Sequence, residues 1–503
     1  MKCLNLAILV QMMSKDAEYI FPAYEAQLSD RAEYLRFNLK EFMTLKDFVI
    51  NLTHYVSYNV LNDFAYSYCI PQISKEFDLL KITDKSVLNI ELKSERTDKL
   101  VRQLERNHYY LKSLAKEKIF VFCYIANTKE FLKFDGVNVD VSSLDEVATI
   151  IKLLSTERAI NGSYDSLFAP KKYLISPFNT PDRFLSGEYF LTDQQEEIKH
   201  KIIDSINKKR SNECQFYRIL GEAGTGKTLL LYDIAKEIAK NYKVCVIHCG
   251  LPNEGFEYLI DKLDNPVLLT IKASMLYITN NPVDILIFDE SHRIYVPQLN
   301  YVNKLAEERN WGVIYGMDPE QTLSRNEEQA RIYDRIDELP LKGKYVLSKK
   351  IRTNKEIAEF IRILGNLNWQ RTVRVFSNII VMPAYSYDQA KKILSYFIDS
   401  GYTYISFTMS KYYYDPLDKL AFNKNTHEVI GQEFDKVVMV LDKKFFYGDD
   451  GHLHNSAHPN PNYLFGKLLF QGLTRTREKL ALIVIDNFEL VGKILNAIKP
   501  YGD

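Results

Sequence analysis

One eight-residue motif constrains the fold of this chain more than any other feature. Residues 221–228 read Gly-Glu-Ala-Gly-Thr-Gly-Lys-Thr and fit the pattern G-x-x-x-x-G-K-[ST]. The apolar run 215–220 predicts a strand before the motif, and apolar residues at helical spacing over 229–238 predict a helix after it. In this context, backbone amides converge on phosphate oxygens at the positive end of the helix. The motif therefore predicts a phosphate-binding loop at the edge of a sheet.

The side chains of this loop have separate expected roles. Lys227 is expected to reach the outer phosphates of ATP, and the Thr228 hydroxyl is expected to ligate Mg²⁺. The alternative, a plain glycine turn, is disfavoured by the strand before the loop and the helix after it. The predicted ATP-binding residues are those of the whole motif, namely Gly221, Glu222, Ala223, Gly224, Thr225, Gly226, Lys227 and Thr228.

Two acidic residues form a second part of the same expected site. Asp289 and Glu290 directly follow the apolar run 285–288, so they are predicted at the C-terminal end of a strand, where open α/β sheets bind ligands. Asp289 is expected to hold Mg²⁺ through water, and Glu290 to orient and deprotonate the attacking water. The alternative is a solvated acidic turn.

Short apolar strands alternate with helices after the N-terminal region, which predicts parallel sheets covered by helices. The 503 residues suffice for about three domains of roughly 150 residues each. The predicted fold class is α/β, with an N-terminal domain over 1–175 and parallel-sheet domains over 176–340 and 341–503. Prolines within 163–186 predict a linker, because proline fixes the backbone and removes an amide donor. A fragment that begins near Asp182 is therefore expected to fold alone and to retain ATPase activity.

Charge and cysteine content limit the class of protein. The 65 basic residues balance the 65 acidic ones, so any polyanion must bind to local patches rather than to a net field. Six cysteines without a C-x-x-C pair suit a reducing compartment, which predicts a cytoplasmic protein. Cys245, His248 and Cys249 alternate along a strand, so they are predicted to pack in the core rather than to bind a metal. Residues 4–10 are predicted to form a short buried strand rather than a secretory signal.

Further motifs follow the order seen in superfamily 1 helicases and translocases. Residues 191–195 (Leu-Thr-Asp-Gln-Gln) resemble the glutamine motif, and 316–321 (Gly-Met-Asp-Pro-Glu-Gln) resemble the third motif. Residues 351–353 are similar to the fourth motif, 426–435 to the fifth and 473–477 to the sixth. The resemblance extends from the glutamine motif to the C-terminus, and it implies two RecA-like domains that hydrolyse ATP and act on nucleic acid.

The resemblance also implies roles for single residues. A guanidinium delivered from the second domain completes charge neutralisation only when the cleft closes, which would tie hydrolysis to domain movement. For each arginine the alternative is a surface ion pair. The implied assignments are adenine reading by Gln195, γ-phosphate sensing by Gln321, transition-state stabilisation by Arg352 and Arg475, close backbone approach at Gly431 and ribose contact by Glu433.

The spacing of these motifs bears on the kind of motor. Residues 250–283 and 353–430 leave no room for large strand-separating insertions, so directional movement along single-stranded nucleic acid is favoured over processive unwinding. Candidate contacts to the strand come from aromatic stacking and basic side chains. The alternatives have at least as much support as nucleic-acid contacts: the tyrosines form a partly buried cluster, and the lysines form a solvated face. The candidates are Tyr412, Tyr413, Tyr414, Lys342, Lys344, Lys349 and Lys350.

The N-terminal region contains a second candidate site. Strands are predicted over 77–82 and 87–92, and a helix over 97–114. In a strand, Glu91 and Lys93 point to one face, where they can approach a residue of the neighbouring strand such as Asp78. Gln103 and Tyr110, seven positions apart, share one face of the helix.

This order resembles the PD-(D/E)XK nucleases that carry a glutamine-tyrosine motif, here Gln103 and Tyr110. The resemblance implies that Asp78 and Glu91 share Mg²⁺, while Lys93 holds the attacking water or the developing phosphorane charge. A degenerate module that only binds nucleic acid and an unrelated interaction module remain as alternatives.

The predicted function is an ATP-dependent translocase or helicase acting on DNA, single-stranded DNA above all, fused to a magnesium-dependent nuclease. The expected cofactors are ATP and Mg²⁺. The arrangement is similar to bacterial nuclease-helicase proteins of phage defence, which implies a role against mobile DNA. Two alternatives stay open. One is an ATPase stimulated by nucleic acid whose N-terminal domain only binds DNA or RNA, and the other is an ATP-driven switch that recruits a protein partner.

Overall fold

The computed structural model divides the chain into two compact units, Met1–Tyr173 and Leu174–Asp503. The boundary lies inside the predicted linker and close to the expected domain boundary after residue 175. The structure describes residues 2–11, 17–31, 34–70, 75–97, 100–160, 164–168, 173, 175–210, 212–348, 354–373, 375–410, 414–421, 424–456 and 462–500.

Unit 1 is built on a six-stranded sheet in the order β1-β2-β3-β4-β5-β6. Among the described strands of unit 1, β3 and β4 form the one parallel pair, because helix α4 connects them as a crossover. The other neighbours are antiparallel. The strands are β1 (Ala65–Cys69), β2 (Glu76–Ile82), β3 (Ser86–Lys93), β4 (Lys118–Ile125), β5 (Glu130–Phe134) and β6 (Val139–Ser142). The helices are α1 (Leu6–Leu9), α2 (Ala17–Ser29), α3 (Leu39–Thr53), α4 (Leu100–Lys112) and α5 (Leu144–Thr156).

Strand β3 is central in this sheet, and its first seven residues are buried. Helix α3 packs against β3, and helix α4 packs against β4. The predicted strand over residues 4–10 is wrong, because Leu6–Leu9 form one helical turn whose cap Asn5 accepts a hydrogen bond from the Ile8 amide. Leu6 and Leu9 of this turn are buried, as the apolar pattern indicates.

Unit 2 contains two parallel sheets, and the first defines lobe 1. Its order is β12-β7-β11-β10-β8-β9, and every described pair is parallel. The strands are β7 (Gln215–Gly221), β8 (Val244–His248), β9 (Val267–Thr270), β10 (Ile285–Asp289), β11 (Gly312–Met317) and β12 (Leu341–Leu347). The helices are α6 (Pro181–Ser186), α7 (Asp193–Asn207), α8 (Lys227–Ile238), α9 (Glu254–Lys262), α10 (Ile271–Asn280), α11 (Val296–Arg309), α12 (Arg325–Ala330) and α13 (Ile332–Asp337).

The second parallel sheet, in the order β13-β18-β15-β14, defines lobe 2. A small antiparallel hairpin, β16–β17, accompanies it. The strands are β13 (Ile379–Ala384), β14 (Thr403–Tyr404), β15 (Phe434–Leu441), β16 (Phe445–Tyr447), β17 (Leu453–Asn455) and β18 (Thr476–Ile485). The helices are α14 (Lys355–Gly365), α15 (Tyr387–Asp399), α16 (Phe465–Leu473) and α17 (Phe488–Ile498). Unit 2 therefore consists of two RecA-like parallel-sheet lobes.

The structure of unit 2 differs from the sequence prediction at one domain boundary and in the linker. Strand β12 pairs with β7 along the edge of the first sheet, so residues 341–347 belong to lobe 1 and not to the second domain. The predicted linker is also partly wrong, because Phe178 and Phe184 are buried in the core of lobe 1 and Pro181 begins helix α6. Among the residues that the structure describes, none of the helices combines the length and apolar character needed to cross a bilayer.

Candidate functional site

The glycine-rich motif forms the turn between β7 and α8. Gly224 and Gly226 have φ angles of 77° and 76°, a left-handed conformation that glycine adopts without steric cost. The Thr225 hydroxyl donates a hydrogen bond to the Glu222 carbonyl at 2.8 Å, which tightens the turn. The Lys227 ammonium donates to the carbonyl of Gly221 at 3.1 Å.

Gln195 supports this loop from helix α7. It completes a capping box with Thr192 at the start of the helix. Its Nε2 donates hydrogen bonds to the carbonyls of Thr225 at 3.0 Å and Gly226 at 3.3 Å. The side chain is buried, so its amide already fixes the loop backbone. The expected contact of Gln195 with adenine stays a prediction.

Asp289 ends strand β10 beside the loop. Its Oδ1 accepts hydrogen bonds from the Thr228 hydroxyl at 3.3 Å and from the Glu290 amide at 3.1 Å. Its Oδ2 is buried without a hydrogen-bond partner among the described residues and lies 3.3 Å from Nδ1 of His248. An orphaned carboxylate oxygen beside a hydroxyl suits a hard cation with oxygen ligands. Thr228 and Asp289 therefore fit the expected Mg²⁺.

His248 lies beside Asp289 because strands β8 and β10 pair in register, with His248 opposite Asp289. Cys245, His248 and Cys249 are all buried, in agreement with the prediction of core packing. The prediction missed the contact of His248 with the acidic residue. The sequence did indicate this contact, because His248 lies at the C-terminal end of a strand, and ligands bind at that edge of the sheet.

Glu290 has a left-handed backbone, with φ 56° and ψ 39°. For a residue with a side chain this conformation costs on the order of 1 kcal/mol, and it is characteristic of functional sites. Its Oε2 lies 3.4 Å from Nε2 of His292. Burial alone would raise the pKa of the Glu290 carboxyl, but nearby cations, Lys227 the strongest, lower that pKa to about 2. The side chain is therefore an anion held among cations.

Arg475 reaches from lobe 2 into this group. It precedes β18, is buried, and donates a hydrogen bond from NH2 to Oε1 of Gln321 at 2.8 Å. Gln321 in turn donates from Nε2 to Oδ2 of Asp318 at 2.5 Å. Burial lowers the pKa of Arg475, whereas the carboxylates of Glu290, Glu433 and Asp318 raise it. The third and sixth motifs are thus joined across the two lobes.

One cleft between the lobes is lined by eleven residues, and every one belongs to the predicted site. Gly221, Thr225, Gln195 and Asp289 each hydrogen-bond to a residue of this lining. Arg352 lies outside the described residues. The lining consists of Glu222, Ala223, Gly224, Gly226, Lys227, Thr228, Glu290, Gln321, Gly431, Glu433 and Arg475.

The candidate contacts to a nucleic-acid strand are only partly described. Tyr412, Tyr413, Lys349 and Lys350 lie outside the described residues. Tyr414 is 62% exposed, which leaves its ring available for stacking. Lys342 and Lys344 lie on edge strand β12 and form ion pairs with Glu213 at 3.2 Å and Asp337 at 3.0 Å. The solvated-face interpretation therefore fits these two lysines.

The candidate nuclease residues of unit 1 form a compact group. Asp78 on β2 and Glu91 on β3 lie on neighbouring strands, and the Lys93 ammonium is 3.5 Å from a carboxylate oxygen of each. Glu91 is fully buried, whereas the side chains of Asp78 and Lys93 each keep 27% exposure. Burial, and then the charge of Glu91, raise the pKa of Asp78 to about 7 against the opposing effect of Lys93.

Three amide side chains support Glu91, two from helix α4 and one from strand β3, and the sequence interpretation missed two of the three. Gln103, which the motif placed among the site residues, donates a hydrogen bond to Oε2 of Glu91. Asn107 donates to Oε1 of Glu91 at 2.7 Å and to Oδ1 of Asn89 at 2.6 Å. Asn89, two residues before Glu91 on β3, also donates to Oε1 of Glu91 at 3.3 Å. Tyr110 is buried further along the same helix face.

The chemistry of this group fits a divalent cation. Burial, and then repulsion from the adjacent carboxylate of Glu91, raise the pKa of Asp78. No group of three or more His, Cys, Asp or Glu side chains that could hold a metal ion occurs in the part of the chain that the structure describes. Mg²⁺ is commonly bound by one or two carboxylates, with waters and substrate phosphates as its other ligands. Asp78 and Glu91 are two carboxylates on neighbouring strands.

Comparison with known proteins bears on lobe 1 most directly. Residues 215–376 match a family described as Schlafen group 3, DNA/RNA helicase domain. These residues form a helicase-like domain. The match runs from β7 to beyond α14, so the helicase-like domain includes the glycine-rich loop, the acidic pair and Gln321. No curated protein matches the chain.

Two solved structures are similar to the chain at low levels. One comes from work entitled "Structural Basis for DNA Unwinding at Forked dsDNA by two coordinating Pif1 helicases". It has 12% identity and a TM-score of 0.31, and the similarity covers 59% of this chain and 92% of that one. The other is domain III of the Thermotoga maritima replication initiation protein DnaA, with 18% identity, a TM-score of 0.21, and coverage of 35% and 70%. Both TM-scores are too low to show a shared fold.

Proposed function

We propose that this protein is an ATP-dependent nucleic-acid motor of the superfamily 1 type and that its N-terminal unit is a magnesium-dependent nuclease. The observation that carries the motor proposal is the cleft in unit 2, where Lys227, Glu290 and Arg475 line one space. Two of these residues belong to lobe 1 and the third to lobe 2. In such a set Lys227 and Arg475 would neutralise the charge of a transferring phosphoryl group from both sides, and Glu290 would orient the attacking water.

The cleft residues of lobe 1 have distinct proposed tasks on ATP. The amides of the loop and Lys227 bind the β- and γ-phosphates. Thr228 and Asp289 would hold Mg²⁺, which supplies charge neutralisation on the phosphate oxygens when bound. Glu290 orients the attacking water and accepts its proton. Because the phosphates of ATP would neutralise the cations that lower the pKa of Glu290, nucleotide binding should raise that pKa and make the carboxylate a better base.

The link between Gln321 and Arg475 supports coupling between hydrolysis and movement. Gln321 is proposed to sense the γ-phosphate, and its side chain already bonds to Arg475 of the other lobe. A change at the γ-phosphate would therefore alter a contact between the lobes. Gln195 near adenine, Arg352 at the phosphates and Glu433 near the ribose are proposed on the superfamily resemblance.

Nucleic acid is the proposed partner of the motor, and the DNA/RNA helicase description of the matched family supports this choice. We propose directional movement along single-stranded DNA. The test compares ATP hydrolysis without nucleic acid and with single- and double-stranded DNA and RNA at equal nucleotide concentration. We expect single-stranded DNA to stimulate hydrolysis most. Hydrolysis that no nucleic acid stimulates would favour the ATP-driven switch.

The nuclease proposal rests on the group of Asp78, Glu91 and Lys93. Asp78 and Glu91 would hold Mg²⁺, which supplies an electrophile for the scissile phosphate when bound. Lys93, protonated between two carboxylates, would stabilise the developing negative charge. Burial lowers the pKa of Lys93, but the charges of Asp78 and Glu91 raise it by more, so the net shift is upward. The side chain therefore stays charged at neutral pH. Gln103 orients Glu91, and Tyr110 is proposed to act from the same helix.

Variants of this group predict loss of cleavage without loss of the motor. Glu91→Ala and Lys93→Ala should each reduce magnesium-dependent cleavage by at least about 100-fold, because the first removes a proposed Mg²⁺ ligand and the second removes the charge that would act on the phosphate. Cleavage is measured on labelled single- and double-stranded DNA with Mg²⁺ and again with a chelator. ATP hydrolysis should remain unchanged in both variants.

Glu105→Ala is the matched control for these variants. Glu105 is an exposed residue of helix α4 on the face away from Glu91. Cleavage by this control should equal that of the wild type. If Glu91→Ala and Lys93→Ala cut as fast as the control, the nuclease assignment of this group is wrong. A role in defence against phage or mobile DNA stays a prediction of the resemblance.

A further inference from the structure

A short segment of unit 2 contacts both lobes beside the nucleotide cleft. We call residues 175–180, which precede helix α6, the strap. The strap is a tight turn, in which the amides of Asn179 and Thr180 both donate to the carbonyl of Ser176 at 3.1 Å. Its sequence position follows the boundary between the two units directly.

The strap is fixed to lobe 1 by the ring of Phe178. This ring packs edge to face against Tyr232, His248 and Phe256, with centroid distances of 5.4, 5.1 and 5.8 Å. The backbone of Phe178 also approaches Gly255, where an added Cβ would lie 1.8 Å from the Phe178 carbonyl oxygen. Only glycine permits this approach. Through His248, the strap is one side chain away from the metal ligand proposed above.

The strap is fixed to lobe 2 by hydrogen bonds to residues 431–433, which we call the fifth-motif loop. The Ser176 hydroxyl donates to the Gly431 carbonyl at 2.9 Å. Asn179 donates to the carbonyl of Glu433 at 2.5 Å and accepts from the amide of Glu433 at 3.0 Å. Gly431 has a φ of 76°, and a Cβ at this position would lie 2.7 Å from the Phe178 ring. The two surfaces are therefore closely fitted.

The fifth-motif loop in turn holds Arg475. The carbonyl of Gln432 lies 3.5 Å from NH1 of Arg475, which donates a hydrogen bond to it. The amide of Phe434, directly after the loop, donates to the carbonyl of Arg475 at 2.8 Å. A displacement of the loop would thus move the guanidinium that reaches Gln321. Asn179 therefore bonds to Glu433, and Arg475 bonds to the residues on either side of Glu433, so the backbone of the loop connects the two.

We propose that the strap positions the fifth-motif loop, and through it Arg475, for ATP hydrolysis. Ser176, Phe178 and Asn179 are positioning residues in this scheme, since they act through the loop and Arg475 rather than on ATP. The inference rests on the proposed ATPase function. Because Arg475 acts mainly on the transition state, loss of the strap contacts lowers kcat more than it raises KM for ATP.

The test uses Asn179→Ala and Ser176→Ala in the full chain, because neither change removes the Phe178 ring from the core. Steady-state ATP hydrolysis with saturating single-stranded DNA gives kcat and KM. Losing both hydrogen bonds of Asn179 to lobe 2 should lower kcat about tenfold, and losing the single hydrogen bond of Ser176 to lobe 2 should lower it about threefold. KM should stay within about twofold of the wild-type value.

Asn487→Ala is the matched control. The Asn487 side chain also makes two hydrogen bonds with the backbone, because it donates one to the carbonyl of Phe445 and accepts one from the amide of Leu490. It lies at the C-terminal end of β18, about 30 Å along the strand from Arg475 at its start. The strap variants and the control should lose similar thermal stability, but only the strap variants should lose kcat. A kcat equal to that of Asn487→Ala in both strap variants would overturn the proposal. A wild-type protein that does not hydrolyse ATP would instead overturn the proposed function.

Discussion

Replacing Lys227 with alanine is expected to reduce ATP hydrolysis by at least about 100-fold, because the phosphates lose the ammonium that neutralises them in a water-poor cleft. The ammonium also carries the strongest favourable interaction with Glu290, whose pKa it lowers. The variant should therefore bind ATP weakly as well as hydrolyse it slowly. Steady-state hydrolysis with single-stranded DNA and equilibrium binding of a fluorescent ATP analogue measure the two effects.

Lys240→Ala is the control for the Lys227 variant. Lys240 follows the same helix, α8, but its side chain is 64% exposed and pairs only with Glu237 among the described residues. Hydrolysis by this variant should remain within about twofold of the wild type, since exposed ion pairs contribute little. Equal hydrolysis by the Lys227 and Lys240 variants would show that the glycine-rich loop does not bind the reacting phosphates.

Replacing Arg475 with alanine is expected to lower kcat about 1,000-fold while KM for ATP changes little, because an arginine that completes charge neutralisation in the transition state typically contributes 10³-fold or more. The side chain bonds to Gln321 and lies among the carboxylates of Glu290 and Glu433. Arg475→Lys keeps the charge but not the planar set of donors, so it should restore only part of the turnover.

Arg477→Ala separates this effect from a general loss of lobe 2 structure. Arg477 lies two residues further along β18 and pairs with Asp435 at 2.7 Å, with its side chain 28% exposed. We expect near wild-type turnover from this control. A large increase in KM for the Arg475 variant, with kcat unchanged at saturating ATP, would mean that Arg475 binds the ground state only. The corresponding prediction for Arg352, a lowered kcat, rests on sequence alone.

Local sequence patterns were sufficient to predict the residues of lobe 1 that line the cleft. The loop 221–228 and the acidic pair 289–290 follow short apolar runs, and both runs form strands that end within one residue of the predicted position. The cleft residues from lobe 2 could be named only from the order of the motifs. Strand β12 was misassigned because an edge strand with alternating burial fits either sheet, and its pairing partner β7 is set by tertiary structure.

The strap shows why other parts of the site escaped prediction. Prolines and polar residues in 163–186 are typical of a linker, and the partners of Ser176 and Asn179 lie 255 and 254 positions away in the sequence. No local pattern encodes such a contact. The fragment expected to begin near Asp182 would lack the strap, so we now expect it to hydrolyse ATP more slowly than the full chain. For Asn89 and Asn107 a local signal existed, since each shares a face with Glu91 or Gln103.

The most direct test of the motor proposal compares the wild type with Glu290→Gln. Both proteins are assayed for ATP-analogue binding and for ATP hydrolysis with and without single-stranded DNA. Glu290→Gln keeps the shape of the side chain but removes the charge that orients and deprotonates water. We predict DNA-stimulated hydrolysis by the wild type, and near-normal nucleotide binding with at least about 100-fold slower hydrolysis by the variant. Equal turnover of the two proteins, or wild-type hydrolysis that DNA does not change, would contradict the account.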